Sequence, residues 1–373
     1  MRYLSQGSAF TSNIAYNVYE LSVLQTILNE NRVSTVKAME AINLPCSDLL
    51  VRCRFEYQIQ PCMELFEQSI SYLGICCTFN GQNNFKFEWS SFTVHTGGLS
   101  LIVKPTHNFE YSTTYSRDVK LLIHKSVSYP SDLNVMKILS QQSESTIRIY
   151  SDVTRCSNEV KSLTFAERDC ILPSEKTLRY FPRYAENNCN VECRIIQTIE
   201  LCGCLPYNYF VTSSAPHPIC NFTKIDCLVS NYLEIHESQM QQNGMCKCPP
   251  DCNAVSFDAS MTKIPFTLSN FSVDNLYEGL DESQYVIAHI SFGKQVYKEL
   301  RRDLLINVII LASGLGGIYS LFIGMGVLTF FEIFYFLTFR LRAHYVRIRR
   351  EHQVLCLKSR KIIVKEYKPK KLA

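Results

Sequence analysis

Apolar positions along this chain fall into two regimes. From Leu304 to Phe339 they run almost unbroken, LLINVIILASGLGGIYSLFIGMGVLTFFEIFYFLTF, with Glu332 as the single ionisable acid. Before that stretch they come in short runs. Leu99 to Val103, Lys120 to His124 and Tyr285 to Phe292 read as strands separated by Gly, Pro and Ser turns. Residues 1 to about 45 are mixed and weakly helical, and the segment holding Cys189 and Cys193 is compatible with a helix. The pattern predicts an α+β fold with substantial strand content, followed by a membrane-type segment.

That segment is too long for one simple span. A hydrocarbon core needs about 20 helical residues, whereas 36 residues in one straight helix would run about 54 Å. Glycines at 314, 316, 317, 324 and 326 weaken a continuous helix and allow close backbone approach. One long, Gly-interrupted transmembrane helix over 304–339 is therefore expected. Broken backbone at membrane depth survives only against protein or a water-filled cavity, so a break here points towards a pore. Glu332 fits the same reading, because a charge within a membrane faces a bundle interior or a water path. The alternative is one tilted anchor helix with small residues for packing.

Charge orients the chain. Of 38 Lys and Arg, 12 lie at or beyond Arg340, with 2 of the 34 acids, so this tail carries +10 and the preceding part −6. Basic residues flanking a span mark the cytoplasmic side. The expected domains are an extracellular 1–303, a span 304–339 and a basic cytoplasmic tail 340–373, at the plasma membrane. The tail is read as meeting anionic lipid, not nucleic acid. Residues 1–25 have no apolar core long enough for a signal peptide or an earlier transmembrane helix, so the chain is expected to lack its true N-terminus.

Seventeen cysteines add a redox compartment. Sixteen precede the apolar stretch, an even number that an oxidised framework requires, and Cys356 follows it. The first cluster holds Cys46, Cys53, Cys62, Cys76 and Cys77; the adjacent pair implies at least two loops tied to one spot. In the second, Cys189 and Cys193 would share a helix face about 6 Å apart. Cys246 and Cys248 would share a strand face about 6.6 Å apart. The matching spacings allow a helix bearing the first pair to lie antiparallel to a strand bearing the second, riveted by nested bridges. Zinc spacing fits poorly, and no metal or cofactor is expected. Two sequons, at Asn221 and Asn270, fall on the proposed outer side.

The cluster CNVECRIIQTIELCGCLPYNYF, then CNFTKIDC and CKCPPDC, followed by GGIYSLFIGMGVLTFFEIFYF, resembles the degenerin/epithelial sodium channel family, and most closely its insect pickpocket branch. The resemblance covers about residues 46 to 341. It implies a subunit of a homo- or heterotrimeric, sodium-selective cation channel gated by an extracellular stimulus. It also implies a β palm and a helical thumb, and leaves amiloride sensitivity open. It further implies a thumb ladder of Cys170–Cys252, Cys189–Cys248, Cys193–Cys246, Cys202–Cys227 and Cys204–Cys220. Gly324, Met325 and Gly326 match the family's selectivity filter, with the final Ser replaced by Gly326. Ser313 matches the gating position that must stay small, and Glu332 an acidic position towards the inner mouth.

No enzyme reading survives. Gly314-Leu315-Gly316-Gly317 lacks the third glycine of a dinucleotide fingerprint, since Tyr319 stands there, and the run is too apolar for a soluble crossover helix. The histidines form no HExxH pattern. The remaining alternative to a channel subunit is a non-conducting membrane receptor or accessory subunit of the same fold.

Overall fold

The computed structural model describes residues 17–81, 97–105, 118–209, 217–237, 247–267, 273–280, 285–324 and 326–366. The chain divides into two compact units between Asp303 and Leu304. The strands of the first unit are β1 (Leu50–Phe55), β2 (Gln58–Gln60), β3 (Phe66–Ser71), β4 (Gly74–Phe79), β5 (Leu99–Val103) and β6 (Val119–Ile123). They continue with β7 (Val135–Leu139), β8 (Ser143–Cys156), β9 (Ala254–Pro265), β10 (Val286–Phe292) and β11 (Lys298–Arg302).

β8 is the hub of a seven-stranded sheet ordered β11-β8-β10-β5-β1-β2, with β9 also on β8. Its fourteen residues are long enough for two strands to share one edge. β10 pairs in parallel with Ser143 to Ile149, and β11 in parallel with Asp152 to Cys156. β9 runs antiparallel along the other edge. The alternation of buried positions at Ser143, Ser145, Ile147, Ile149 and Ser151 is the period of a strand with one face inward. Two small hairpins, β3–β4 and β6–β7, cover that face through Phe66, Phe79, Leu121 and Ile123. The sheet mixes parallel and antiparallel pairs and the helices are segregated from it, an α+β arrangement.

The helices carry their own cores. Val18–Glu30 starts at Asn17, whose side chain accepts from the Tyr19 N–H, and packs Leu21 with Met39, Tyr207 and Phe222. Glu186–Cys202 buries a face holding Cys189, Val191, Cys193, Ile195 and Cys202, and ends at Gly203 in the left-handed region (φ +70°). Asn188 on the same face is fully buried. Its amide donates to the Val127 and Arg183 carbonyls and its Oδ1 accepts from the Tyr129 N–H.

Three expectations about cysteines need correction. Cys76 and Cys77 do not both bridge: Cys77 joins Cys46, whereas Cys76 keeps a free thiol. Neighbouring strand residues project to opposite faces. Cys77 therefore meets Cys46 in the sheet core, while the Cys76 sulfur lies 3.0 Å from the Ser71 hydroxyl. Cys156 is also a free, buried thiol, so the even count does not translate into eight bridges. In addition, Lys247–Pro250 has no regular secondary structure, so Cys248 reaches the helix from irregular chain rather than from a strand.

Candidate functional site

The cysteine ladder fixes the helical region. Cys170 joins Cys252, Cys189 joins Cys248, Cys202 joins Cys227 and Cys204 joins Cys220, with Cα separations of 5.0, 5.7, 5.9 and 4.9 Å. Cys193, one turn on from Cys189, is also disulfide-bonded, and Cys246 lies outside the described residues. In the first cluster, Cys53 joins Cys62 across the β1–β2 turn. Sulfurs gather in threes, Cys156 with Cys170 and Cys252, and Cys189 with Cys193 and Cys248. Each trio contains an intact bridge, whose sulfurs are not thiolate ligands.

Beside the ladder lies a partly buried ionic cluster that sequence patterns did not reveal. The Lys125 ammonium is 4.0 Å from Asp251 Oδ2, the same oxygen that accepts from the Glu186 N–H at 3.4 Å. Burial raises the pKa of both carboxyl groups and lowers that of Lys125. Burial also pushes the Tyr184 phenol well up, helped by Asp251 and Glu186. A second network was equally hidden. On β8, β10 and β5, His289 Nε2 meets Glu144 Oε1 at 2.7 Å and Nδ1 meets Ser100 Oγ at 2.9 Å. The Tyr277 hydroxyl donates to the same Glu144 oxygen at 2.7 Å, and burial followed by that bond raises its pKa. These contacts join residues up to 189 positions apart, beyond any local motif.

The apolar stretch folds as two helices. The Asn307 side chain caps Val308–Ile323 by accepting from the Ile310 N–H at 2.8 Å. The helix continues through Gly314, Gly316 and Gly317, and stops at Gly324, which takes φ +67° and donates its N–H to the Ser320 carbonyl. Gly326 is extended (φ −92°, ψ 173°) and caps the next helix, Val327–Tyr335. A π-helical turn, Phe336–Arg340, leads into the basic helix Leu341–Glu366. The break is thus at Gly324 and Gly326; Met325 between them lies outside the described residues. At about 1.5 Å per residue, sixteen residues cover about 24 Å. Among the described residues, no helix is long and apolar enough to cross a membrane.

Ser313 lies in the first of these helices and Glu332 in the second, and both are exposed. Large apolar side chains of the first helix are exposed as well, Val308 at 83% and Phe322 at 80%. Asn221 is half-buried, and its Oδ1 accepts from the Thr223 hydroxyl at 2.6 Å. Asn270 lies outside the described residues.

These features define a disulfide-rich mixed α/β protein with an appended apolar, glycine-broken helical unit. The chain belongs to the amiloride-sensitive sodium channel family, whose family model matches residues 3–336. It is 34% identical over 340 residues to the sodium channel protein Nach of Drosophila virilis, covering 90% of this chain and 87% of that protein. It is 32% identical over 352 residues to the Nach protein of Drosophila melanogaster, covering 88% of this chain and 65% of the relative. Pickpocket protein 11 of Drosophila melanogaster is 24% identical over 325 residues, 86% of this chain and 60% of the relative. The family and the two Nach relatives are sodium channel proteins, not enzymes.

Proposed function

We propose that this chain is one subunit of a trimeric, sodium-conducting channel of the plasma membrane. In this reading residues 304–339 line the pore, 1–303 lie outside the cell and 340–373 lie inside. The observation that carries it is the break at Gly324 and Gly326 within an apolar stretch, in a chain of the sodium channel family. Three facts support the placement. Apolar side chains from Val308 to Phe322 are exposed, where hydrocarbon would solvate them. The bridged cysteines all precede Leu304, as an oxidising exterior requires. The helix beyond Arg340 is strongly basic, the signature of the cytoplasmic side.

The filter would be Gly324, Met325 and Gly326. Lacking a serine hydroxyl at 326, it would rely on backbone carbonyls and pore width to select sodium. Ser313 would be the small gating residue, and Glu332 would lie towards the inner mouth. Cys193 would bridge Cys246, and Asn221 and Asn270 would carry glycans. Partners would be sodium ions, homologous subunits and membrane lipid.

The missing hydroxyl favours a second reading, a non-conducting receptor or accessory subunit. Voltage-clamp recording of the protein expressed with and without Gly326→Ser separates the two. A sodium current that appears or grows with the serine supports a channel with an altered filter. Silence of both forms despite surface expression, alone and with homologous subunits, supports the accessory role.

A further inference from the structure

The core-facing side of the seven-stranded sheet does not pack flush against its two covering hairpins. Between them lies a cavity of about 580 Å³, walled by Leu101 and Ile149 of the sheet, Phe257 of β9, Phe79 of β4 and Leu121 of β6. Protein interiors are close-packed, and voids much larger than a water molecule are few. This volume falls instead in the range of small-molecule sites, which are concave, mostly apolar and carry a few polar groups.

The polar groups at its edge define the ligand's charge. The Lys125 ammonium is directed to Asp251. Lys120 is also at the edge, but it alternates with Leu121 along β6 and is exposed, so water screens its charge. The ring of His124 is bonded to the Lys125 carbonyl at 2.8 Å, and the Cys76 thiol to the Ser71 hydroxyl at 3.0 Å. Burial favours the neutral form of both His124 and Cys76. A carboxylate or ammonium entering here would lose its hydration without gaining a buried, unengaged counter-charge, a cost that an uncharged ligand avoids.

We propose that this cavity binds an uncharged, hydrocarbon-rich small molecule. The site lies wholly within the first unit, and its occupancy is measurable whether or not the protein conducts. The test uses the purified full chain in amphipol with a dodecanol analogue bearing a photoreactive diazirine, followed by peptide mapping of the labelled sites. The expected result is labelling of peptides from β3–β4 or β6–β7. Excess plain dodecanol should reduce it at least fivefold, and so should Leu121→Trp, which fills the cavity, in protein whose mapped disulfides are intact. Competition in the unaltered protein provides the measurement if that variant fails to fold. Absence of label in those strands, or label that dodecanol does not displace, would overturn the proposal. So would equal labelling by the matched dodecanoate analogue, which would show a site for charged amphiphiles.

Discussion

Arg194, on the buried face of the helix Glu186–Cys202, reaches Asp132 in the turn before β7 through two hydrogen bonds of 2.7 and 3.2 Å. The arginine side chain is 5% exposed and the aspartate 40%. This pair ties the disulfide-laced helix to the β6–β7 hairpin. Removing the acid leaves a buried guanidinium without its counter-charge, a loss of 3–5 kcal/mol for fully buried pairs. Because Asp132 keeps contact with water, Asp132→Ala should cost about 2–3 kcal/mol. Urea unfolding of the oxidised protein measures it. The double variant Asp132→Ala/Arg194→Leu should recover more than half of that loss; recovery of none would mean the coupling is not ionic.

The ladder's bridges should not contribute equally. Cys170–Cys252 closes 82 residues of sequence separation and Cys204–Cys220 closes 16. In the chain-entropy account the longer loop stabilises by about 1.4 kcal/mol more. Paired serine substitutions compared by thermal unfolding test the ranking. The single variant Cys170→Ser should behave differently, because the Cys156, Cys170 and Cys252 sulfurs lie within 4.8 Å of one another. During refolding with glutathione disulfide, the thiol left at Cys252 should oxidise with Cys156. Non-reducing peptide mapping should find a Cys156–Cys252 bridge; a persistently free Cys252 would contradict this geometry.

These elements also show where a sequence speaks and where it falls silent. The four-residue spacing of Cys189 and Cys193 carries its meaning locally, since helix period alone puts both on one face. Residue type marked five glycines as candidate breaks, but only Gly324 takes a left-handed conformation and ends the helix. Gly314, Gly316 and Gly317 stay helical, because a glycine lowers helix stability without forcing a stop. The free thiol at Cys76 required knowing which face of β4 meets Cys46. The Arg194–Asp132 pair and the His289–Glu144–Ser100 network required the tertiary fold, because their partners lie 62 to 189 positions apart.

Acidification should tighten one corner of the helical region. Glu186 and Asp251 have folded pKa values raised first by burial, with Asp251 adding to the rise at Glu186 and Lys125 opposing it at both. A carboxyl group whose pKa is higher when folded than when unfolded contributes stability that is full below the unfolded value, near pH 4. That stability is lost as pH rises through the raised folded value. Hydrogen exchange at the start of the helix Glu186–Cys202, corrected for intrinsic rates, should therefore show more protection at pH 5 than at pH 7. Glu186→Gln and Asp251→Asn should each flatten that difference, and Lys125→Met should steepen it. A profile that Glu186→Gln leaves unchanged would place its origin elsewhere.

Two glycines allow backbone strain to be separated from steric clash. Gly279 takes φ +70° with nothing within 4 Å of where a Cβ would stand, so alanine there meets only the conformational penalty. Gly98 takes φ +54° just before β5, and its Cβ would collide with the Ile290 carbonyl oxygen on the neighbouring β10. Alanine at the first site should cost about 1–2 kcal/mol, the price of a left-handed L-residue. At the second it should cost more than that, because the β5–β10 edge must open to admit the methyl group. That edge holds Ser100 against His289. Gly98→Ala should therefore also weaken exchange protection at Ser100 and His289, while Gly279→Ala leaves both unchanged. Equal unfolding midpoints for the two variants would refute the clash and leave backbone conformation as the only cost at either site.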